Sequence, residues 1–141
     1  MTNTSKGDHM ANILVIDDEK DVRVVLKEVL RRAGYDVTLA ANGADGLEKL
    51  AADGADMVIT DVIMPGMHGV AIVQKIRETH PDIPIIVISG GGNVAPMDYE
   101  PGAISTSAYL ASATKAGANH TLTKPFERQE LLDVVQALLD A

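Results

Sequence analysis

Short apolar runs alternate along the chain with longer stretches whose apolar residues recur every three or four positions. Asn12-Ile13-Leu14-Val15-Ile16 is compact and β-branched and halts on Asp17-Asp18-Glu19, the pattern of a strand buried on both faces. Val22, Val25, Leu26, Val29, Leu30 and Ala33 then keep a helical rhythm, and Gly34 stands where a helix C′ residue belongs. Tyr35 to Ala40 predicts a second strand, with Val37 and Leu39 alternating. Asn42 is placed to cap a helix from about Gly43 to Ala52, with Asp45 at the N3 position of a near capping box. Met57 to Thr60 predicts a third strand, which ends on the lone carboxylate of Asp61 and breaks into turn residues around Pro65 and Gly66.

Beyond that turn, Val70, Ile72, Val73 and Ile76 mark a third helix stopped by Pro81. Ile83 to Ser89 is a fourth strand, apolar on both faces, with Pro84 at its start where a missing N–H does least harm. Gly90 to Gly102 has no period and is rich in glycine and proline, which predicts a lid, a binding loop or a mobile insert. Helical character resumes near Ser105, with Tyr109, Leu110 and Ala113 on one side, and ends at Gly117. Thr121 to Thr123 is a minimal fifth strand, and a last helix runs from about Glu127 to Leu139 on a stripe of Leu131, Val134, Val135 and Leu138. Such alternation implies an α/β fold: a parallel sheet covered on both faces by helices that make right-handed crossovers.

Composition narrows the class. The 141 residues are 46% hydrophobic and 23% charged, which suits one globular domain. Cysteine is absent, which excludes disulfides and thiolate metal sites and suits a cytoplasmic chain. No run approaches the roughly 18 apolar residues of a membrane span. The net charge of −8 argues against direct nucleic-acid binding and favours a protein partner or a cation-binding carboxylate site. Met1 to His9 is polar without an apolar signal core and reads as an expression leader before a native start at Met10. Residues 1–10 are therefore expected to be a disordered leader, and 11–141 a single domain with a long loop at 90–102.

Four strand ends carry polar groups: Asp17 and Asp18, then Asp61, Ser89 and Lys124. In a parallel sheet all carboxyl ends face one way, so these groups converge on one rim. Three close carboxylates repel and call for a counter-charge, which a hard divalent cation such as Mg²⁺ supplies. A carboxylate beside such a metal can attack a phosphoryl group, with Lys124 and the Ser89 hydroxyl holding the transferred oxygens. Each residue alone also has a structural use. Asp17 and Asp18 can cap the first helix, Ser89 can start a turn, and Lys124 can be solvated. His68, His80 and His120 show no metal-ligand spacing, and Met64 and Met67 read as packing residues.

Four motifs in order, Ile-Leu-Val-Ile-Asp17-Asp18-Glu19, Asp61-Val-Ile-Met64-Pro65-Gly66-Met67-His-Gly69, Ile-Ile-Val-Ile-Ser89 and Leu-Thr-Lys124-Pro125-Phe126, resemble the CheY-like receiver domain of two-component response regulators over about Asn12 to Leu139. The resemblance implies a flavodoxin-like (βα)5 three-layer sandwich with strand order 2-1-3-4-5. Asp61 would accept phosphate from a histidine kinase or histidine phosphotransfer protein. Asp17, Asp18, Asp61 and the backbone carbonyl of Ile63 would hold Mg²⁺, with Ser89 as switch hydroxyl and Lys124 as phosphate-binding lysine. The output would be a downstream protein contact on the fourth helix, fifth strand and fifth helix, with no membrane involved. The family often has a cis peptide at the position of Lys124–Pro125.

Two departures stand out. Thr121 occupies the place of an aromatic switch residue, which leaves that relay absent or carried by another residue such as His120 or Tyr99. The loop after Ser89 exceeds the family norm and is expected to be mobile without phosphate and ordered with it. Neither Ile63 nor Gly91 offers a side chain that orients a hydrolytic water, so a persistent aspartyl-phosphate is expected. Two other functions compete: a pseudo-receiver that binds partners without phosphorylation, and an aspartate-nucleophile phosphatase. Phosphatases of that kind place an Asp-x-Asp motif after the first strand, unlike the adjacent Asp17-Asp18 here. The receiver reading makes the chain no enzyme beyond its own phosphorylation and dephosphorylation.

Overall fold

The apolar runs fold as five strands, β1 (Asn12–Ile16), β2 (Asp36–Ala40), β3 (Met57–Asp61), β4 (Ile85–Ser89) and β5 (His120–Thr123). Between and after them lie α1 (Lys20–Arg32), α2 (Gly43–Asp53), α3 (Gly69–Thr79), α4 (Thr106–Ala116) and α5 (Arg128–Asp140). The structure, a computed structural model, describes residues 11–61, 69–89, 106–124 and 126–140. The expectations for the leader, for Ile63, Met64, Met67 and His68, for the 90–102 loop with Gly91 and Tyr99, for the Lys124–Pro125 peptide and for the Tyr109 and Leu110 side chains lie outside what is described.

The strands are all parallel in the order β2-β1-β3-β4-β5, the flavodoxin-like order 2-1-3-4-5. The chain steps outward from β1 to β2, crosses back over β1 to β3, and continues to β4 and β5. Right-handed crossovers in opposite directions put their helices on opposite faces, which yields three layers. Strand alternation then feeds two cores. Leu14, Ile16, Val58, Ile85 and Val87 pack against Leu50, Ile72, Val73, Ile76 and Ala113 of α2, α3 and α4. Ile13, Val15, Met57, Ile59, Ile86 and Ile88 pack against Leu26, Leu30, Leu131 and Val135 of α1 and α5. Each of these Ile, Leu, Val and Met side chains contributes about 1.5–3 kcal/mol on burial.

Local chemistry sets the element ends. The Gly34 N–H donates to the Arg31 carbonyl and the Tyr35 N–H to the Leu30 carbonyl, closing α1 with Gly34 at φ +101°. β2 then begins at Asp36, whose N–H donates to the Ala11 carbonyl at 2.9 Å. Pro84 precedes β4, where its carbonyl accepts from the Val58 N–H at 3.0 Å. The Asn42 side chain caps α2 by accepting from the Asp45 N–H at 2.8 Å, while the Asp45 carboxylate turns to Lys49, 3.2 Å away.

The buried stripe of α1 is narrower than expected. Val25 is 58% exposed and Ala33 lies past the last turn, so Val22, Leu26, Val29 and Leu30 carry the contact. Neighbouring residues project about 100° apart around a helix, so a stripe centred on Leu26 turns Val25 outward.

At the amino-terminal end of the sheet, Arg77 of α3 fans across several backbone groups. It donates to the carbonyls of His80 (3.0 Å), Ile83 (2.7 Å) and Gly117 (2.8 and 3.1 Å) and to the Asn119 side chain (2.8 Å). The same Asn119 oxygen accepts from the Ile85 N–H at 2.8 Å, so one guanidinium ties α3, the start of β4 and the α4–β5 corner. Burial lowers the Arg77 pKa, with Asp82 acting in the opposite direction.

Candidate functional site

The site follows from the register of β1 and β3. Ile16 pairs with Thr60, so the next residues, Asp17 and Asp61, emerge level on the carboxyl rim. That point is where the strand order reverses, the crevice that open α/β sheets use for ligands. Asp17 and Asp61 are buried, 1% and 5% exposed, while Asp18 is exposed. One carboxylate oxygen from each of the three lies within 4.8 Å of the others.

Lys124 reaches this cluster from the end of β5, across the end of β4. Its Nζ lies 3.6 Å from Asp17 Oδ2, 3.7 Å from Asp61 Oδ2 and 3.8 Å from Glu19 Oε1. A long stem with a terminal charge suits a residue that must cross a neighbouring strand. Ser89, the last residue of β4, is fully buried, and its carbonyl accepts from the Lys124 N–H at 3.1 Å. Its neighbour Ile88 pairs with Asp61, which puts Ser89 one step beyond the carboxylate on the same rim. The structure thus brings together all five residues singled out from the sequence that lie among those described: Asp17, Asp18, Asp61, Ser89 and Lys124.

The simple capping use of Asp17 and Asp18 does not hold. Glu19 is the N-cap residue of α1 and makes no side-chain cap bond, while Asp17 Oδ1 accepts from the Glu19 N–H at 2.8 Å in a turn ahead of the helix. Ser89 is buried where β4 ends. His80 and His120 lie near the amino-terminal end of the sheet, away from the cluster, and His80 Nδ1 is 2.8 Å from Thr79 Oγ1. Thr121 is half-buried on β5 opposite Val87.

Three further residues touch the site without having been singled out. Glu19 faces Lys124, Arg23 Nη1 donates to the Asp17 carbonyl at 2.8 Å, and the buried Thr60 hydroxyl donates to the Asp61 carbonyl at 3.0 Å. Glu19 had a signal in the unbroken acidic run that it closes. Arg23 and Thr60 had none, because their bonds go to backbone atoms whose positions only the fold supplies.

Chemically, Lys124 faces three carboxylates, those of Asp17, Glu19 and Asp61, and Asp18 adds a fourth to the cluster. The surplus negative charge and the cluster of hard oxygen donors fit a hard divalent cation, with Asp17, Asp18 and Asp61 as the residues that would hold it. Among the described residues, none forms a helix long and apolar enough to cross a membrane.

The comparisons agree with this geometry. The family model for the response regulator receiver domain matches residues 13–100. The DNA-binding transcriptional regulator NtrC of Rhizobium meliloti (strain 1021) is 35% identical over 125 residues, 89% of this chain and 23% of that protein. The response regulator MprA of Mycolicibacterium vanbaalenii is 35% identical over 127 residues, 90% of this chain and 49% of its own length. The chain therefore spans half or less of these relatives. Among solved structures, the chemotaxis protein CheY4 of Vibrio cholerae superposes with a TM-score of 0.77 at 29% identity, covering 92% of this chain and 99% of that one. A putative response regulator from Chloroflexus aurantiacus J-10-fl gives 0.79 at 30% identity, covering 94% and 100%.

Proposed function

The chain belongs to the response regulator receiver domain family, and from that footing we propose that it is a phosphoacceptor whose nucleophile is Asp61. The observation that supports this most directly is the level placement of Asp17 and Asp61, with Asp18 and Lys124 converging on them. An Asp61 carboxylate oxygen attacks the phosphorus of a phosphohistidine or a small acyl phosphate. The P–N or P–O bond breaks, its electron pair leaves with the imidazole or carboxylate, and an aspartyl-phosphate remains.

Asp17, Asp18 and Asp61, together with the Ile63 carbonyl that the family resemblance implies, would hold Mg²⁺. When bound, the ion supplies positive charge against the phosphoryl oxygens. Lys124 adds a second positive charge within reach of Asp61, and the Ser89 hydroxyl provides a hydrogen-bond donor on the neighbouring strand. Family members work with histidine kinases, so the donor proposed here is a cytoplasmic histidine kinase or phosphotransfer protein. The output is a change in protein contacts on the α4–β5–α5 face.

Intact mass spectrometry after incubation with Mg²⁺ and acetyl phosphate tests this reading. A single phosphoryl adduct is expected on wild type and none on Asp61→Asn. Equal adducts on both proteins would place the acceptor elsewhere, and loss of the adduct without Mg²⁺ would tie the chemistry to the acidic cluster.

A further inference from the structure

We infer that Arg23 is a positioning residue for the acidic pocket: through the bond from its guanidinium to the Asp17 carbonyl, it fixes the turn that presents Asp17 and Asp18. The inference rests on the reading of that cluster as a cation site. Asp17 is held at every polar atom. Its N–H donates to the Ala40 carbonyl at 3.1 Å, and Oδ1 accepts from the Glu19 N–H at 2.8 Å. Oδ2 faces Lys124 at 3.6 Å, and the carbonyl accepts from Arg23 Nη1 at 2.8 Å.

Three of these four restraints are strand or turn neighbours or the lysine itself. Arg23 alone is a side chain reaching back six residues from the helix that follows. The peptide whose carbonyl it grips is the one joining Asp17 to Asp18, so its orientation sets the angle between the two carboxylates. Asp18 is exposed, and this peptide is its link to the buried Asp17.

Arg23 is the fourth residue of α1, within the first turn, where the helix dipole disfavours a cation. Helix propensity does not ask for arginine there, since other residues serve equally. The bond to Asp17 and the nearby carboxylates give the charge a use that offsets its placement. Charge and positioning make opposite predictions. A positive charge beside an acidic cluster repels Mg²⁺, so losing the charge alone tightens Mg²⁺ binding. Losing the anchor of a ligand weakens it, on the order of tenfold for groups that orient a metal ligand.

The test compares wild type, Arg23→Met, Arg23→Lys and Lys20→Met, each checked for native circular dichroism. Mg²⁺ affinity is measured by calorimetry, and exchange of the Glu19 amide by NMR in metal-free buffer. Arg23→Met is expected to bind Mg²⁺ about tenfold more weakly and to speed Glu19 exchange even without metal, because Asp17 Oδ1 no longer holds that N–H steadily. Arg23→Lys keeps the charge and one donor and should fall between. Lys20→Met removes a charge from the same turn without touching Asp17 and should bind Mg²⁺ as well as wild type or better. Unchanged Glu19 exchange in Arg23→Met overturns the inference, as does Mg²⁺ binding as tight as that of wild type. If wild type neither binds Mg²⁺ nor takes phosphate, the phosphoacceptor reading falls separately, and Glu19 exchange still decides the role of Arg23.

Discussion

Gly46 shows how little freedom one residue near the site has. It lies on the buried face of α2, against Ile16, the residue that leads directly into Asp17. A Cβ built there would overlap Ile16 Cδ1 and stand 2.7 Å from Ile16 Cγ1. The closeness is steric, since Gly46 is helical and a side chain would suit its backbone. Gly46→Ala is therefore expected to destabilise the fold by about 1–3 kcal/mol, the usual cost of overfilling a packed core. Because the clash is with the tip of Ile16, Ile16→Val should recover part of that cost. In urea unfolding, the double variant should lose less than the sum of the two single changes. Strict additivity would show that α2 moves as a body and that Ile16 is not the contact that matters.

At the scale of elements, Arg77 holds one end of the molecule as the carboxylates define the other. Its substitution by Met would leave the carbonyls of His80, Ile83 and Gly117 without the fan of donors that reaches them. The expected loss is about 2–4 kcal/mol in urea unfolding, from several charged-donor bonds to partly buried acceptors. Arg77→Lys should recover only a fraction, because a single ammonium cannot spread over the same acceptors. A loss below that of an ordinary surface substitution would mean water replaces the fan at no cost. None of this was legible in the sequence, where Arg77 looks like any charge on an amphipathic helix. The strands were legible because their β-branched runs stop abruptly on polar residues. The site was legible because those stops carry Asp17, Asp61, Ser89 and Lys124, and a parallel sheet gathers strand ends. The buried stripe of α1 was legible only in part. Val25 and Leu26 fit the same apolar rhythm, and only the line of contact with the sheet decides that Leu26 faces inward. Bonds from side chain to backbone, such as those of Arg23 and Thr60, follow from tertiary geometry and leave no periodic trace.

For the molecule as a whole, the rim that the topology creates is a place where function and stability oppose each other. Three carboxylate oxygens within 4.8 Å of one another repel, and Lys124 offsets only part of that repulsion. Asp18 is the exposed member, so solvent and salt screen its share to about 1 kcal/mol or less. Asp18→Asn should therefore melt slightly higher than wild type in EDTA, by roughly 3 °C at most. With Mg²⁺ the order should reverse. A ligand at a hundred times its Kd stabilises the folded state by about 2.7 kcal/mol, so wild type gains several degrees while the variant, short of one ligand, gains far less. The expected signature is a crossing of the two melting temperatures as Mg²⁺ is added, read by calorimetry or circular dichroism. High salt should shrink the difference in EDTA, because screening acts on the repulsion of the exposed carboxylate. If Asp18→Asn melts lower than wild type even without metal, Asp18 is holding the turn after β1 rather than straining it. The cluster would then be a structural feature of the rim, and its fit to a cation would follow from that role rather than oppose it.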